Sequence, residues 1–505
     1  MDRGGRIPAV YAPAASLVAL SNERNSIMQQ DPKPSTRRNF LNQASAAAAV
    51  LSSAALASAK SQKTIKPGVS ARSASRVVGA NDRINVGMIG LGGMGTVHLR
   101  AFMKQTDDEK DISIVAVSDI YTMRKQRARD IAKLTDKDVH HEYRDLLARN
   151  DVDAVLIAAP DHWHGQMALD ALAAGKDVYL EKPMTHTLEE ARAIVDAVKK
   201  YDRILQVGNQ GLSAPSTHKS KEIIDAGEIG PVLCAQATSA RNSLLGEWNY
   251  HVDAEGTPQN IDWTRWLGSA PKRPFSADRY FRFRKYWDYS GGIATDLFFH
   301  SLGPILYPMG AQFPTRVTGS GGIYVHKDRE VPDTYATTIE YPNFYIEMSG
   351  SMANAAMGQY HRQAIYGHKG TLVIERNQVL VYPETYPELQ AALRPQGQTA
   401  AQAGRPAVPE PKAYDLPPVV PQRDARTPHT TNFFACVRSR KQPNAPAELG
   451  YQIIAAIKLG VYAYREGKTK LFDPKSQTVI EKAPPRPSYE GDGKNHTVDA
   501  QGQIT

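Results

Sequence analysis

The chain has 505 residues, is 41% hydrophobic and 22% charged, and carries a formal net charge of +9. That length buries more than one core, and the composition is that of an ordinary globular protein. Beyond the N-terminal region no run of 18 apolar residues speaks for a membrane span in the mature chain, and no basic run interleaved with aromatics speaks for a nucleic-acid partner.

In chain order, the first 59 residues read as an address, not as fold. Thr36-Arg37-Arg38-Asn39-Phe40-Leu41 has the twin-arginine pattern, an alanine-rich apolar segment runs from Ala44 to Leu56, and Ala57-Ser58-Ala59 offers a small-x-small cleavage site. The expectation is export by the twin-arginine route to the periplasm or another extracytoplasmic space. Residues 1–27 are long for such a leader, and Met28 would give a more ordinary start. Loss of the leader brings the net charge to about +6. Residues 60–81, rich in Ser, Ala and Lys, read as a linker.

From 82 to 210 strand-like and helical runs alternate. Apolar strands are expected at 84–89, 112–118, 153–159, 177–180 and 204–207, and helices at 95–104, 121–134, 164–174 and 188–200. This alternation argues for an α/β Rossmann domain with a doubly wound parallel sheet. The stretch Ile84–Gly95 carries the strongest signal. A buried strand breaks into Gly90, Gly92, Gly93, Met94 and Gly95, with G-x-G-x-x-G spacing, and a helix follows. The first glycine allows a tight turn, the second lets backbone approach a pyrophosphate, and the third lets helix and strand pack closely. Asp119 ends the next strand, where a carboxylate would hold the adenosine ribose. That carboxylate repels a 2′-phosphate and favours NAD, while Arg124 and Lys125 nearby leave NADP open.

Residues 211–430 change character. A helix at 216–226 and a strand-like run are followed by an irregular stretch, 246–290, rich in Trp, Tyr and Arg. A glycine pair and a helix (291–309) come next. Strand-like runs at 315–326, 334–341, 344–352, 361–367, 371–376 and 379–382 follow without helices between them. These argue for an α+β domain with an open, mostly antiparallel sheet. Residues 384–425 read as a Pro/Gln/Ala-rich excursion, and 431–482 as helices packing back on the first domain, before a loose tail, 483–505. Cys234 and Cys436 are far apart and read as free thiols, and no metal site is expected.

Two constellations carry chemistry. Glu181-Lys182-Pro183 ends a strand at the carboxyl edge of the first sheet, where ligands lie. An ammonium there would hydrogen-bond the oxygen of a carbon that exchanges hydride, though position alone fits a solvent-facing lysine as well. Asp296 and His300, four apart, share a face of a helix after Gly291-Gly292. A His beside a carboxylate suits general acid–base work, and the spacing equally fits a capping Asp with a structural His. Residues 279–289 mix Arg with aromatics. Arg282, Arg284, Tyr286 and Trp287 are candidates for a sugar platform, with a packed connection as the alternative. Trp263, Trp266 and Leu267 read as packing.

Gly90-x-Gly92-x-x-Gly95, Glu181-Lys182-Pro183 and Asp296-x-x-x-His300, in this order, resemble the glucose–fructose oxidoreductase and inositol dehydrogenase (Gfo/Idh/MocA) family over roughly residues 82–480. The resemblance implies a Rossmann domain, an open-faced β-sheet domain, a nicotinamide cofactor, sugar or polyol substrates and a homo-oligomer. It places Lys182, Asp296 and His300 at the catalytic positions. His300 would accept the proton, and Lys182 and Asp296 would hold the reacting hydroxyl. Ala158–His164 resembles the family segment that passes the cofactor, which makes Pro160, Trp163 and His164 candidates there, with Glu181 and Asn209 at the cofactor edge. His162 and His164 are equally suited to loop and cap duty. The NAD-dependent glycosidases of the same superfamily are similar too, but typically carry an apolar residue where this chain has Lys182. A non-catalytic sugar-binding protein is the remaining alternative.

Overall fold

The computed structural model describes residues 83–108, 111–360, 363–375, 377–386, 410–417 and 428–482. The leader, the linker, the tail and most of the excursion therefore lie outside the described residues.

Six parallel strands form the first sheet: β1 (Ile84–Ile89), β2 (Ile112–Ser118), β3 (Val139–His140), β4 (Ala154–Ile157), β5 (Asp177–Glu181) and β6 (Leu205–Gly208). Their order is β3-β2-β1-β4-β5-β6. This is the doubly wound order with its switch point between β1 and β4. Apart from the two-residue edge strand β3, the strands read as largely apolar runs because both faces are covered. On β4, Ala154 and Leu156 face one core with Val86 and Met88, whereas Val155 and Ile157 face the other. Helices α1 (Gly93–Asp108) and α2 (Thr122–Ala132) serve the first face, and α4 (Asp161–Ala173) and α5 (Leu188–Tyr201) the second; the short α3 (Tyr143–Leu147) lies between β3 and β4.

The second sheet has eleven strands in the order β15-β14-β13-β12-β7-β11-β10-β8-β16-β17, with β9 beside β10. Its strands are β7 (Val232–Ala240), β8 (Arg316–Val317), β9 (Ser320–Gly322), β10 (Thr334–Glu340), β11 (Tyr345–Ser351), β12 (Gln363–Gly367), β13 (Gly370–Ile374), β14 (Gln378–Pro383), β15 (Lys412–Asp415), β16 (Lys470–Asp473) and β17 (Thr478–Ile480). Among the described strands of this sheet only β7 and β11 run parallel. The mostly antiparallel character expected from sequence holds. Two local expectations do not. The excursion contains β15, an edge strand paired with β14. The stretch 431–482 holds strands as well as helices, because β16 and β17 extend the second sheet. All three are three- or four-residue strands at the margins of the sheet, too short to show a period.

Helices α6 (Pro215–Asp225), α7 (Trp263–Leu267), α8 (Ala277–Phe281), α9 (Phe299–Leu306), α10 (Met357–Tyr360), α11 (Pro428–Ser439) and α12 (Ala447–Glu466) complete the described elements, with short 3-10 turns. Phe433 and Phe434 of α11 close the core of the first sheet. A π-helical turn, Ala294–Phe298, leads into α9. It presses close to the second sheet: a Cβ on Gly350 would lie 2.9 Å from Ile293 and Phe298. Among the described residues no helix is long and apolar enough to cross a membrane.

Candidate active site

A cavity of about 660 Å³ lies along the carboxyl edge of the first sheet. Its floor is the glycine loop. Gly90 has φ +83°, and a Cβ there would meet Ala158 O at 2.7 Å. Gly95 packs helix α1 onto the turn so tightly that its Cβ would sit 2.0 Å from Gly90 O. Nothing lies within 4 Å of a Cβ on Gly93. Gly90, Gly92, Gly93 and Met94 line the cavity, while Gly95 lies behind them. The loop thus leaves open space at the start of a 16-residue helix, where an anion is favoured. Asp119 lines the same cavity, and its carboxylate accepts from Leu91 N at 2.7 Å and Tyr121 N at 2.8 Å. Two backbone bonds aim it, and each oxygen keeps a lone pair for a ribose. These residues fit a dinucleotide.

At the other end stand Lys182 and His300. Lys182 Nζ donates to Asp296 Oδ1 at 2.7 Å and to Asp296 O at 2.9 Å. Asp296 also accepts from Arg284 Nε at 2.9 Å and Trp248 Nε1 at 3.2 Å. Burial would raise the Asp296 carboxyl, but the Lys182 and Arg284 cations outweigh it and hold the carboxyl far below the usual range. Asp296 is thus fully engaged as the anchor of Lys182. Glu181 lines the cavity and pairs with His98 at 2.7 Å, and its other oxygen accepts from Lys182 N at 3.1 Å. Burial pushes Glu181 up, yet the bond and charge of His98 bring it to about 2. His300 is lowered to about 4, by burial first and by the Lys182 cation second. Among the described residues its ring makes no hydrogen bond, so a ring nitrogen remains open toward the cavity.

Pro160 and Trp163 also line the cavity. Trp163 is held by a bond from Nε1 to Trp266 O at 2.7 Å. Other sequence candidates lie elsewhere. His164 sits behind the wall, its ring bonded to Pro183 O at 2.6 Å and Ala159 O at 2.8 Å. Asn209 is buried, and its Nδ2 donates to Phe299 O at 2.7 Å, tying the end of β6 to the helix that bears His300. Arg282 bonds Tyr250 O and Asp278. Tyr286 bonds Asp278, and Trp287 packs on Tyr464 and Arg465. None of these five lines the cavity. Of the proposed sugar platform only Arg284 does, and it holds Asp296. Nearby carboxylates explain the difference: Arg282 and Tyr286 both bond Asp278, and Arg284 bonds Asp296. Sequence reasoning missed Trp248, Tyr250, Phe281 and Phe283; the aromatic density of 246–290 was their only signal.

A 3-2-1-4-5-6 parallel sheet, a glycine loop opening a helix and an acidic residue ending β2 define a dinucleotide-binding oxidoreductase class. Residues 84–209 match the oxidoreductase family with an NAD-binding Rossmann fold (GFO_IDH_MocA), and residues 217–334 match its C-terminal alpha/beta domain. Both domains thus match models of one oxidoreductase family, Gfo/Idh/MocA. The chain is 28% identical over 298 residues to the uncharacterized oxidoreductase YrbE of Bacillus subtilis, covering 58% of this chain and 74% of that one. It is 35% identical over 188 residues to an inositol 2-dehydrogenase of Klebsiella pneumoniae, covering 36% of this chain and 54% of that one. The match thus spans about half the length of that dehydrogenase. A levoglucosan dehydrogenase in complex with NADH shares the fold with a TM-score of 0.57 at 19% identity, covering 77% of this chain and 98% of that one.

Proposed function

We propose that the protein is an NAD-dependent dehydrogenase that moves hydride between nicotinamide and a hydroxyl or keto carbon of a sugar, polyol or glycoside. One observation carries the reading: a single cavity joins the glycine loop and Asp119 to Lys182 and His300. When bound, the nicotinamide supplies the hydride acceptor. The chain's own groups handle the proton. The Lys182 ammonium, fixed by Asp296, donates to the reacting oxygen and eases its deprotonation. His300, neutral above about pH 4, takes that proton at a ring nitrogen. Related proteins named for inositol and levoglucosan support cyclic polyols and sugars as the substrate class. The intact Lys182 favours a dehydrogenase over the redox-neutral glycosidases, and Asp119 favours NAD over NADP.

The Arg37-Arg38 leader supports export by the twin-arginine route, and the open face of the second sheet supports a homo-oligomer. The test is turnover by the purified full chain with NAD and a panel of polyols, aldoses and an anhydrosugar, read at the NADH absorbance. Reduction with at least one compound, lost in Lys182→Ala, is the expected result. Aglycone release from a glycoside without net NADH would point to the glycosidase instead. NADH binding without turnover on any compound would leave only a binding protein.

A further inference from the structure

The segment between β7 and the π-turn does more than line the cavity. It is stitched to the first domain at three successive loops of the nucleotide crevice. At the end of β2, Thr122 N donates to Asn260 O at 3.0 Å, Asp262 N donates to Ile120 O at 3.2 Å, and Tyr121 Oη donates to Asp253 at 2.7 Å. After β3, His141 meets Asp262 at 3.0 Å and Arg265 Nε donates to Glu142 at 3.0 Å. After β4, Trp163 Nε1 bonds Trp266 O. Beneath these ties lies a separate apolar core in which Tyr121 of the first domain packs with Ile261, Trp266 and Tyr280.

Beside Asp119 the segment and α2 make a slot. Arg124 of α2 lies 4.9 Å from the Tyr280 ring centroid and 5.6 Å from that of Phe281, and its Nη1 donates to Tyr280 Oη at 3.0 Å. Arg124, Tyr280 and Phe281 all line the cavity next to Asp119. A guanidinium plane beside aromatic rings is suited to a flat heteroaromatic base, by stacking and cation–π attraction.

We propose that residues 250–284 form a strap that holds the adenosine half of the dinucleotide against Asp119, with the adenine in the Arg124–Tyr280–Phe281 slot, so that bound nucleotide leaves only when the strap lifts. The inference rests on the dinucleotide reading above. It gives the strap a retention role separate from the proton chemistry at Lys182 and His300. Release is then slow and set by the strap, while substrate reaches the nicotinamide end.

The experiment loads the purified full chain with NADH and follows its release by fluorescence on mixing with excess NAD. It compares the wild type with Phe281→Leu and Arg124→Gln, both checked for folding by circular dichroism. Affinities for ADP-ribose and nicotinamide mononucleotide are measured alongside by calorimetry. The expected result is slow release in the wild type, at least tenfold faster release in each variant, weaker ADP-ribose binding and unchanged mononucleotide binding. Equal release rates in all three proteins, or equal loss of both fragments, overturns the strap while leaving the dinucleotide site standing. Failure of the wild type to bind either fragment overturns both readings.

Discussion

The Lys182 ammonium bonds both the carboxylate and the backbone carbonyl of Asp296, at 2.7 and 2.9 Å. Lys182 follows the end of β5 in the first domain, and Asp296 lies in the π-turn of the second. The pair therefore locks the two domains together at the reacting end of the cavity, with the two side chains 11% and 9% exposed. Arg284 shares the same carboxylate oxygen. Asp296→Asn leaves two cations facing one neutral amide. Breaking a buried pair costs about 3 kcal/mol or more. The variant is expected to melt lower and to lose at least 10²-fold, roughly the worth of a positioned acid–base group, in kcat. Lys182→Ala is expected to lose most activity while still binding NADH. A fully active Lys182→Ala enzyme would remove the lysine from the chemistry.

The pH response follows from the buried histidines. His300, His162 and His429 are each lowered to about 4, with burial the largest cause. In the unfolded chain a histidine titrates near 6.5. Between about pH 4 and 6.5 the unfolded state thus binds more protons, so stability is full above that window and falls as pH drops through it. Each histidine contributes roughly 3 kcal/mol to that fall. Melts from pH 7 to 4 on the wild type and on His429→Gln, a site away from the cavity, are expected to show a shallower decline in the variant. For catalysis, kcat/KM is expected to hold on the acid side to about pH 5 and to fall with an apparent pKa near 4. An acid limb centred at 6.5 would remove His300 as the proton acceptor.

Asp119 would have two duties, because the oxygens proposed to hold a ribose also accept from Leu91 N and Tyr121 N. Asp119→Asn keeps the side-chain shape but gives up the charge that repels a 2′-phosphate and attracts ribose hydroxyls. It is expected to weaken NAD by about tenfold, near 1.4 kcal/mol, and NADP by less. Calorimetric titration of both nucleotides checks this. Equal losses would mean that the residue acts through the loop and not through the ribose.

What the sequence made legible follows from where the information is local. The central strands of the first sheet are buried on both faces, so Ala154–Ile157 and its neighbours stand out as apolar runs, whereas the half-buried, two-residue β3 at the edge does not; the glycine spacing marks the loop that follows β1. Lys182, Asp296 and His300 were accessible too, the first by strand-end position and the other two by helical spacing. The substrate side was not. Arg and aromatic residues at 279–289 suit a sugar platform and a packed connection alike, and the partners they find in the fold, some near in the chain and some distant, decide between them. Arg279 lies 4.1 Å over the Tyr286 ring and bonds Glu330, 51 positions away. Asn209 shows the same limit: its position at the end of β6 suggests the cofactor, whereas its amide turns to Phe299 O, 90 positions on.

Gly95 and Gly93, two of the four glycines of the loop, separate folding from binding. A methyl on Gly95 would lie 2.0 Å from the carbonyl oxygen of Gly90, backbone against backbone, with no side chain able to give way. Gly95→Ala is expected to push α1 off the turn, to lower the melting temperature and to abolish nucleotide binding. Gly93 is exposed at the first residue of α1, and its added Cβ would meet nothing within 4 Å. Gly93→Ala is expected to keep or raise stability by up to about 1 kcal/mol through better helix propensity. Gly93 nevertheless lines the cavity at the helix start, so its methyl would enter the space expected for the pyrophosphate. NADH affinity is therefore expected to fall tenfold or more in a protein that melts no lower than the wild type. Unchanged affinity in Gly93→Ala would show that the phosphates do not lie against this turn.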